Sequence, residues 1–229
     1  MLMSQPAFNY NTVVFDCDGI ILRSNRIKSD AFSDALPDEP DNMRTAFVAW
    51  HKANGGISRF AKFHYYFTVM APRPDPDPYI DSAILRYGDL VKQRLITCDT
   101  GPGLDRVLSL LTERGIACSV NSGGSEMELH YVFAARGLDG AFQKVYGSPA
   151  DKYTNMQRLR EAGLLGGRGL MIGDSRSDFL AARKYGLDFA YVTLDSEWEN
   201  GPAEMAQEMI HGNVFTFTDL HAIADWIVA

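Results

Sequence analysis

Four short stretches of the chain carry carboxylates, a hydroxyl and a lysine at positions where they can act together. Asp16-Cys17-Asp18-Gly19 closes the apolar run Thr12-Val13-Val14-Phe15. In an extended strand, residues two apart point to one face, so the carboxylates of Asp16 and Asp18 can converge on one point. An Asp-Gly turn at the end of a strand has the same spelling. Asn121-Ser122-Gly123-Gly124 sets a hydroxyl and two glycines at a strand-to-helix junction, where backbone N–H groups can approach an anion. Taken alone, Ser-Gly-Gly is more often only a loop. Lys152 opens a helical pattern after Gly147-Ser148-Pro149, and a lone lysine is ordinarily a solvated charge. Gly173-Asp174-Ser175-Arg176-Ser177-Asp178 ends a further apolar run. Ser175 and Asp178 match a capping box that would start the next helix, which leaves Asp174 unexplained. None of the five histidines has HExxH or similar spacing and the three cysteines form no CxxC pair, so a metal here would be held by carboxylates.

Such residues need elements that bring them to one edge. Residues 12–15, 116–120, 169–172 and 189–193 are short apolar runs followed by polar or turn residues, the pattern of buried strands, and 144–146 allows another. Leu104, Val107, Leu108 and Leu111 recur at helical spacing, and Leu129, Val132, Phe133 and Leu138 follow a similar one. Strands alternating with helices predict a three-layer α/β fold around a parallel sheet, with a terminal helix over 217–228. The stretch from Asn25 to about Leu95 differs. It has helical periodicity, no alternating strand, and the segment Pro72-Arg73-Pro74-Asp75-Pro76-Asp77-Pro78. It reads as an inserted helical domain, residues 25–96, in a core made of 1–24 and 97–229. The two would meet at a cleft facing the carboxyl ends of the strands.

With 229 residues, 46% of them hydrophobic and 11% aromatic, the chain can bury a substantial core, which excludes disorder as its state. A formal net charge of −7 argues against nucleic acid as a partner, because phosphate-backbone binding needs a basic face. No segment approaches the ~18 uninterrupted apolar residues of a membrane span, and the N-terminal residues lack a basic stretch followed by an apolar one. Neither membrane nor nucleic acid is expected as a partner. Cys17, Cys98 and Cys118 form no even framework and suit free thiols in a reducing compartment, which places the protein in the cytoplasm.

In their order, Phe15-Asp16-Cys17-Asp18-Gly19, Ser122, Lys152 and Gly173-Asp174-x-x-x-Asp178 resemble the four motifs of the haloacid dehalogenase superfamily, and the resemblance covers nearly the whole chain. The insertion after the first motif, with Arg23-Ser24-Asn25 at its seam, is similar to the helical cap of the phosphoglycolate phosphatase and β-phosphoglucomutase branch. The resemblance implies a Rossmann-like core with an inserted α-helical cap. It also implies a Mg²⁺-dependent phosphomonoesterase acting on a small phosphorylated metabolite, a sugar phosphate or short acid. Asp16 would attack phosphorus and form an aspartyl-phosphate. Asp16, Asp174 and the backbone carbonyl of Asp18 would hold Mg²⁺. Asp18 would act as acid and then base, with a raised pKa in its carboxylate-rich surroundings. Ser122 and the Gly123 N–H would bind the transferring oxygens, Lys152 would add a second positive charge, and Asp178 would orient Lys152 or the water on the metal.

The same residues set the chain apart from some relatives. Dehalogenases proper and phosphonoacetaldehyde hydrolases lack the second aspartate, and P-type ATPases place lysine after the nucleophile, so Asp18 argues against all three. Within the insertion, Lys52-Ala53-Asn54-Gly55-Gly56-Ile57-Ser58-Arg59 resembles the mutases' cap segment, in which an arginine grips the non-reacting phosphate. Arg59 matches that arginine, and Asn54 joins it as a substrate-binding candidate. In the alternative reading Ser58 caps a helix whose Phe60, Phe63, Tyr66 and Phe67 are core, and Arg59 is solvated. His51, His64 and Tyr65 read as surface or packing residues. Three departures bear on the substrate: Arg23 stands where many relatives have an acidic residue, Lys28 where the mutase has histidine, and Gly173 where it has glutamate. The last two favour hydrolysis, with a β-phosphoglucomutase-like isomerase as the alternative. A non-catalytic phospho-ligand sensor would have no need of Asp18.

Overall fold

A computed structural model describes residues 7–55 and 57–229. The six N-terminal residues, read above for a leader, and Gly56 of the cap segment lie outside the described residues. Six strands, β1 (Thr12–Phe15), β2 (Ala117–Ser125), β3 (Lys144–Ser148), β4 (Gly169–Gly173), β5 (Asp188–Val192) and β6 (Val214–Phe217), form one sheet in the order β3-β2-β1-β4-β5-β6. Every neighbouring pair is parallel. Alternation within the strands explains why both faces are apolar. Val13, Phe15, Leu170 and Ile172 point to one layer, with α5 (Leu104–Glu113), α6 (Glu126–Ala135) and α10 (Leu220–Val228). Val14, Met171, Phe189 and Tyr191 point to the other, with α7 (Lys152–Glu161), α8 (Arg176–Tyr185) and α9 (Gly201–Glu208). The chain builds outward from β1 to β2 and β3 on one side and from β4 to β6 on the other. A crevice therefore opens where the direction reverses, at the carboxyl ends of β1, β2 and β4.

Between β1 and α5 lie α1 (Asn25–Asp34), α2 (Asp41–Ala53), α3 (Arg59–Tyr65), which runs on as a π-helical turn Tyr66–Met70, and α4 (Asp77–Thr97). Ser58 caps α3 by accepting from Ala61 N at 3.3 Å. Phe63, Tyr66 and Phe67 are buried behind it, while Phe60 is exposed. Phe47 of α2 is the hub of this packing, with ring centroids 5.7 Å from Phe32, 5.7 Å from Phe63 and 4.8 Å from Tyr66.

Two elements differ from the sequence reading. Val214–Phe217 is the edge strand β6, paired with β5 from Phe189 to Val192, so the terminal helix starts at Leu220 and not at Phe217. Four residues are too few for periodicity to declare a strand, and the pairing partner decides it. Similarly, β2 continues through Ser122-Gly123-Gly124 to Ser125 before α6 begins, and its register against β3 shifts between Asn121 and Ser125. Among the described residues no helix is long and apolar enough to cross a membrane.

Phe47 has no exposed surface. Phe47→Ala is expected to lower stability by about 3–5 kcal/mol through lost burial and the cavity left behind, read from a urea unfolding curve. A loss below about 1 kcal/mol would mean that the helices between β1 and α5 do not depend on this ring.

Candidate active site

The crevice collects the carboxylates. Asp16 follows β1, Asp174 follows β4, and Asp178 lies in the first turn of α8; one oxygen from each falls within 4.8 Å of the others. Lys152 is aimed at them because Asp151 caps α7, accepting from Thr154 N at 2.7 Å, and sets the lysine at the first helical position. Its ammonium lies 3.1 Å from Asp16 Oδ1 and donates to Asp178 Oδ1. Asp178 does both things that the sequence allows it: Oδ2 accepts from Ser175 N at 3.1 Å and from Ser175 Oγ at 2.5 Å, completing the capping box, while Oδ1 takes Lys152. Glycine is required twice here. At Gly19 the backbone has φ +78° and a Cβ would lie 2.2 Å from Asp174 Oδ2; at Gly173 it would lie 2.5 Å from the Asp178 side chain.

The carboxylates have unequal environments. Burial, reinforced by Asp178 and only partly offset by Lys152, raises Asp16 to about 7. Burial together with Asp16 and Asp178 holds Asp174 well above the usual carboxylate range, although Asn25 donates to it at 2.5 Å. Three buried carboxylates facing one ammonium leave a negative excess, and an all-oxygen donor set of this kind suits a hard cation.

Asp18 corrects an expectation. Burial would raise it, but Lys28 donates to Oδ2 at 2.6 Å and Ser24 Oγ to Oδ1 at 2.6 Å, and these hold it below its ordinary value. The sequence reading counted the acidic neighbours and took Lys28 only as a departure from the mutase, not as the partner that α1 brings over Asp18 one turn beyond Ser24. Lys28 in turn stays protonated against its own burial because of Asp18.

The cleft above the carboxylates holds about 80 Å³ and is lined by Asp16, Asp18 and Asp174 below, Gly123 and Gly124 at one side, and Lys28, His51, Lys52, Arg59, Lys62 and Tyr87 from the helical insertion. Ser122 lies close by: its hydroxyl accepts from Gly124 N at 3.0 Å, and that hydroxyl and the Lys28 ammonium would each be 3.3 Å from a Cβ on Gly124. Arg59 is neither solvated nor free. Its guanidinium, buried, forks onto Glu128 of α6 and lies 4.6 Å over the Tyr87 ring. Asn54 caps its own helix, donating to Trp50 O at 2.9 Å, and does not line the cleft. His51 packs as read, buried with its ring 4.4 Å from Phe32, and is hydrogen-bonded besides; Tyr65 packs on Trp50 at 4.2 Å, and His64 is exposed.

Sequence reasoning passed over the loop after β5. Asp195 takes Arg23 at 2.7 Å, and its carbonyl takes Asn25 at 2.8 Å. Glu197 takes Ser29 at 2.8 Å and Lys52 at 3.1 Å. The signal was present, since these acids follow the carboxyl end of a strand as Asp16 and Asp174 do. Asp195 thus gives Arg23 its partner, the opposite charge across the seam.

The haloacid dehalogenase-like hydrolase family matches residues 13–192, from β1 through β5. The chain belongs to this family. Among solved structures similar to it, a predicted phosphatase from Clostridium acetobutylicum is 18% identical, with a TM-score of 0.73 over 96% of this chain and 99% of that one. A predicted phosphoglycolate phosphatase from Haemophilus somnus is 17% identical, with a TM-score of 0.72 over 94% and 97%. A β-phosphoglucomutase from Clostridium difficile is 13% identical, with a TM-score of 0.70 over 96% and 98%. At these identities the likeness is one of fold, the Rossmann-like core with helices inserted after β1. No curated protein matches the chain. Asp16, Lys152, Asp174 and Asp178 all lie within the matched residues.

Lys152 is the sole ammonium paired with Asp16 and Asp178 among the described residues. Lys152→Met is expected to cost about 3–5 kcal/mol of stability, because it leaves buried carboxylates without their partner. Asp178→Asn, which keeps shape and part of the helix cap, should cost less. Urea unfolding of both variants checks this, and equal stability of Lys152→Met and the native chain would show that the ammonium is not needed to hold the cluster.

Proposed function

We propose that the protein is a Mg²⁺-dependent phosphomonoesterase of the cytoplasm that hydrolyses a small phosphorylated metabolite through an aspartyl-phosphate on Asp16. The observation that carries this reading is the meeting of Asp16, Asp174 and Asp178 with Lys152 at the base of a covered cleft. Asp16, Asp174 and the backbone carbonyl of Asp18 would hold the ion, in keeping with the all-oxygen set and its negative excess. Bound there, Mg²⁺ would neutralise the phosphate and withdraw charge from phosphorus.

The chain's own groups supply the remaining steps. An Asp16 carboxylate oxygen bonds to phosphorus as the ester oxygen leaves, and the leaving oxygen takes a proton from Asp18. Water then bonds to phosphorus, gives its proton to Asp18, and the Asp16–phosphorus bond breaks to release inorganic phosphate. Lys152 fixes Asp16 and offsets its charge, with Asp178 behind it as a positioning residue. Ser122 and the Gly123 N–H hold the transferring oxygens. Pairing with Lys28 favours the base form of Asp18, which serves the second step; the first needs Asp18 turned from Lys28 toward the cleft. Arg59 borders the substrate as part of the cleft wall beside Tyr87, and Asn54 only ends α2, outside that lining.

Hydrolysis is favoured over phosphosugar isomerisation by three features. Lys28 engages Asp18, a side chain at position 173 would strike Asp178, and Arg59 is held by Glu128. A binding-only protein would have no use for an acid/base group beside the nucleophile.

Asp16→Asn is isosteric and is expected to fold normally and to lose turnover of every phosphate ester to background. A phosphate-release assay on 4-nitrophenyl phosphate and a panel of sugar and acid phosphates tests this, and activity above trace level in the variant would remove Asp16 as nucleophile. Conversion of a sugar 1-phosphate to its 6-phosphate with little phosphate released would replace the hydrolase by the mutase.

Chelation gives a separate test of the carboxylate site. EDTA should abolish activity, Mg²⁺ should restore it, and Asp174→Ala should reproduce the chelated state at any Mg²⁺ concentration. Full activity in metal-free buffer would contradict the assigned ion.

A further inference from the structure

Residues 25, 28 and 29 stand three and four apart on α1 and therefore share one face of the helix. That face is seated on the sheet domain at three points. Asn25 reaches Asp174 and the loop after β5, Lys28 reaches Asp18, and Ser29 reaches Glu197. Of these three, Asn25 is the one that bonds to a member of the Asp16, Asp174 and Asp178 cluster.

The contact uses both hydrogens of one amide. Asn25 Nδ2 donates to Asp174 Oδ2 at 2.5 Å and to the Asp195 carbonyl at 2.8 Å. A carbonyl can only accept, so the amide presents its NH₂ side here. The same loop grips the other end of Asp174, because Ser196 Oγ donates to the Asp174 carbonyl at 2.6 Å. Asp174 Oδ1 is left without a donor among the described residues. A Cβ at Gly19 would strike both the Asn25 amide and Asp174 Oδ2, so the glycine after Asp18 makes room for this bond.

Asp174 needs a restraint of this kind. It is buried and faces Asp16 and Asp178, whose like charges favour any rotation that carries its carboxylate away. Lys152 is bonded to Asp16 and Asp178 and to no oxygen of Asp174. The Asn25 amide is neutral, so it fixes the carboxylate without adding a charge that would compete with a cation, and it leaves Oδ1 for the ion. Donors held in place before an ion arrives lose less freedom when it binds.

We propose that Asn25 is a positioning residue of the cation site, holding Asp174 ready for the ion from within the helical insertion, so that ion binding and the seating of α1 favour each other. This rests on the Mg²⁺ assignment in the phosphatase reading and extends it. An ion at the strand ends depends on a residue of the insertion, and by reciprocity the insertion is held more firmly when the ion is bound.

The test reads Mg²⁺ binding itself, by calorimetric titration into the full chain. Asn25→Ala should bind Mg²⁺ about tenfold or more weakly than the native protein. Asn25→Ser, whose hydroxyl is too short to bridge Asp174 and Asp195, should lose a similar factor and serves if the alanine variant does not fold. Arg23→Ala removes the exposed ion pair to Asp195 next door and should stay within about twofold of native affinity. An effect that came only from loosening the seam would appear in Arg23→Ala as well. Amide hydrogen exchange over residues 26–34 gives the second reading. Mg²⁺ should slow it about fivefold or more in the native chain and leave it unchanged in the Asn25 variants. Native affinity in an Asn25 variant, an equal loss in Arg23→Ala, or exchange in α1 that Mg²⁺ does not alter overturns the proposal and leaves the ion in place. Absence of Mg²⁺ binding by the native chain overturns the ion and Asn25 together. Mg²⁺ binding that depends on Asn25, without turnover of any phosphate ester, overturns the phosphatase reading alone.

Discussion

The repulsion among three buried carboxylates governs the rest of this structure. Asp16, Asp174 and Asp178 place oxygens within 4.8 Å of one another, with Lys152 as the cation between two of them. Such a cluster exists only where the backbone forces it. The forcing elements are the neighbouring parallel strands β1 and β4, which end at the same level because Phe15 is in register with Ile172. A side chain at Gly19, in the turn after β1, or at Gly173, the last residue of β4, would collide with a carboxylate of the cluster. Lys152 completes the arrangement from a third element, α7, and its orientation depends on the Asp151 cap. Burial first, and the like charges beside them second, push both Asp16 and Asp174 upward, and a cation entering the cluster would offset both.

The helical insertion is held over this cluster by a different kind of contact. Its interior is aromatic, centred on Phe32, Phe47, Phe63 and Tyr87, whereas its seam with the sheet domain is ionic: Arg23 to Asp195, Ser29 and Lys52 to Glu197, Arg59 to Glu128. Apolar burial is non-directional and keeps the insertion folded. Ionic contacts are directional, tolerate water, and fix how the insertion sits on the crevice. Their strength varies along the seam. Arg59 is buried and Glu128 half-buried, while Arg23 is 41% exposed and its pair with Asp195 is worth little by itself.

The parts of the site legible in sequence were those that backbone geometry dictates. A carboxylate at the end of an apolar run, a glycine after it and a capping serine three residues before an aspartate each have a local cause, so Asp16, Asp18, Asp174 and Asp178 could be read directly. Strands β1 and β4 were equally plain because both of their faces are apolar. What could not be read depends on residues distant in sequence. Val214–Phe217 becomes a strand by pairing with β5. Arg59 has a local pattern, but its partner is 69 residues away. His51 and Lys62 are unremarkable on their own helices and acquire meaning only when α2 and α3 bury them against each other. The environment of Asp18 was misjudged for the same reason: the acids beside it in sequence were counted, and the ammonium four residues beyond Ser24 was not.

Asp18 ties the two halves of the molecule together. It belongs to the strand end, yet both of its hydrogen-bond donors come from the chain leaving for the insertion: Ser24 at the seam and Lys28 one turn into α1. The isolated bridges of Leu22 with Asp18 and with Thr100 brace the strand-end side of that connection, and the α1 side is tied to the loop after β5 through Asn25 and Ser29. Any displacement of α1 therefore changes what surrounds the Asp18 carboxylate without moving Asp16. With Lys28 in place the carboxylate is held ionised against its burial; with Lys28 withdrawn, burial is opposed only by Ser24 and Lys152 and weighs more heavily toward the protonated form. The seating of the insertion and the surroundings of the Asp18 carboxylate are thus set by one short stretch of chain, residues 24–29.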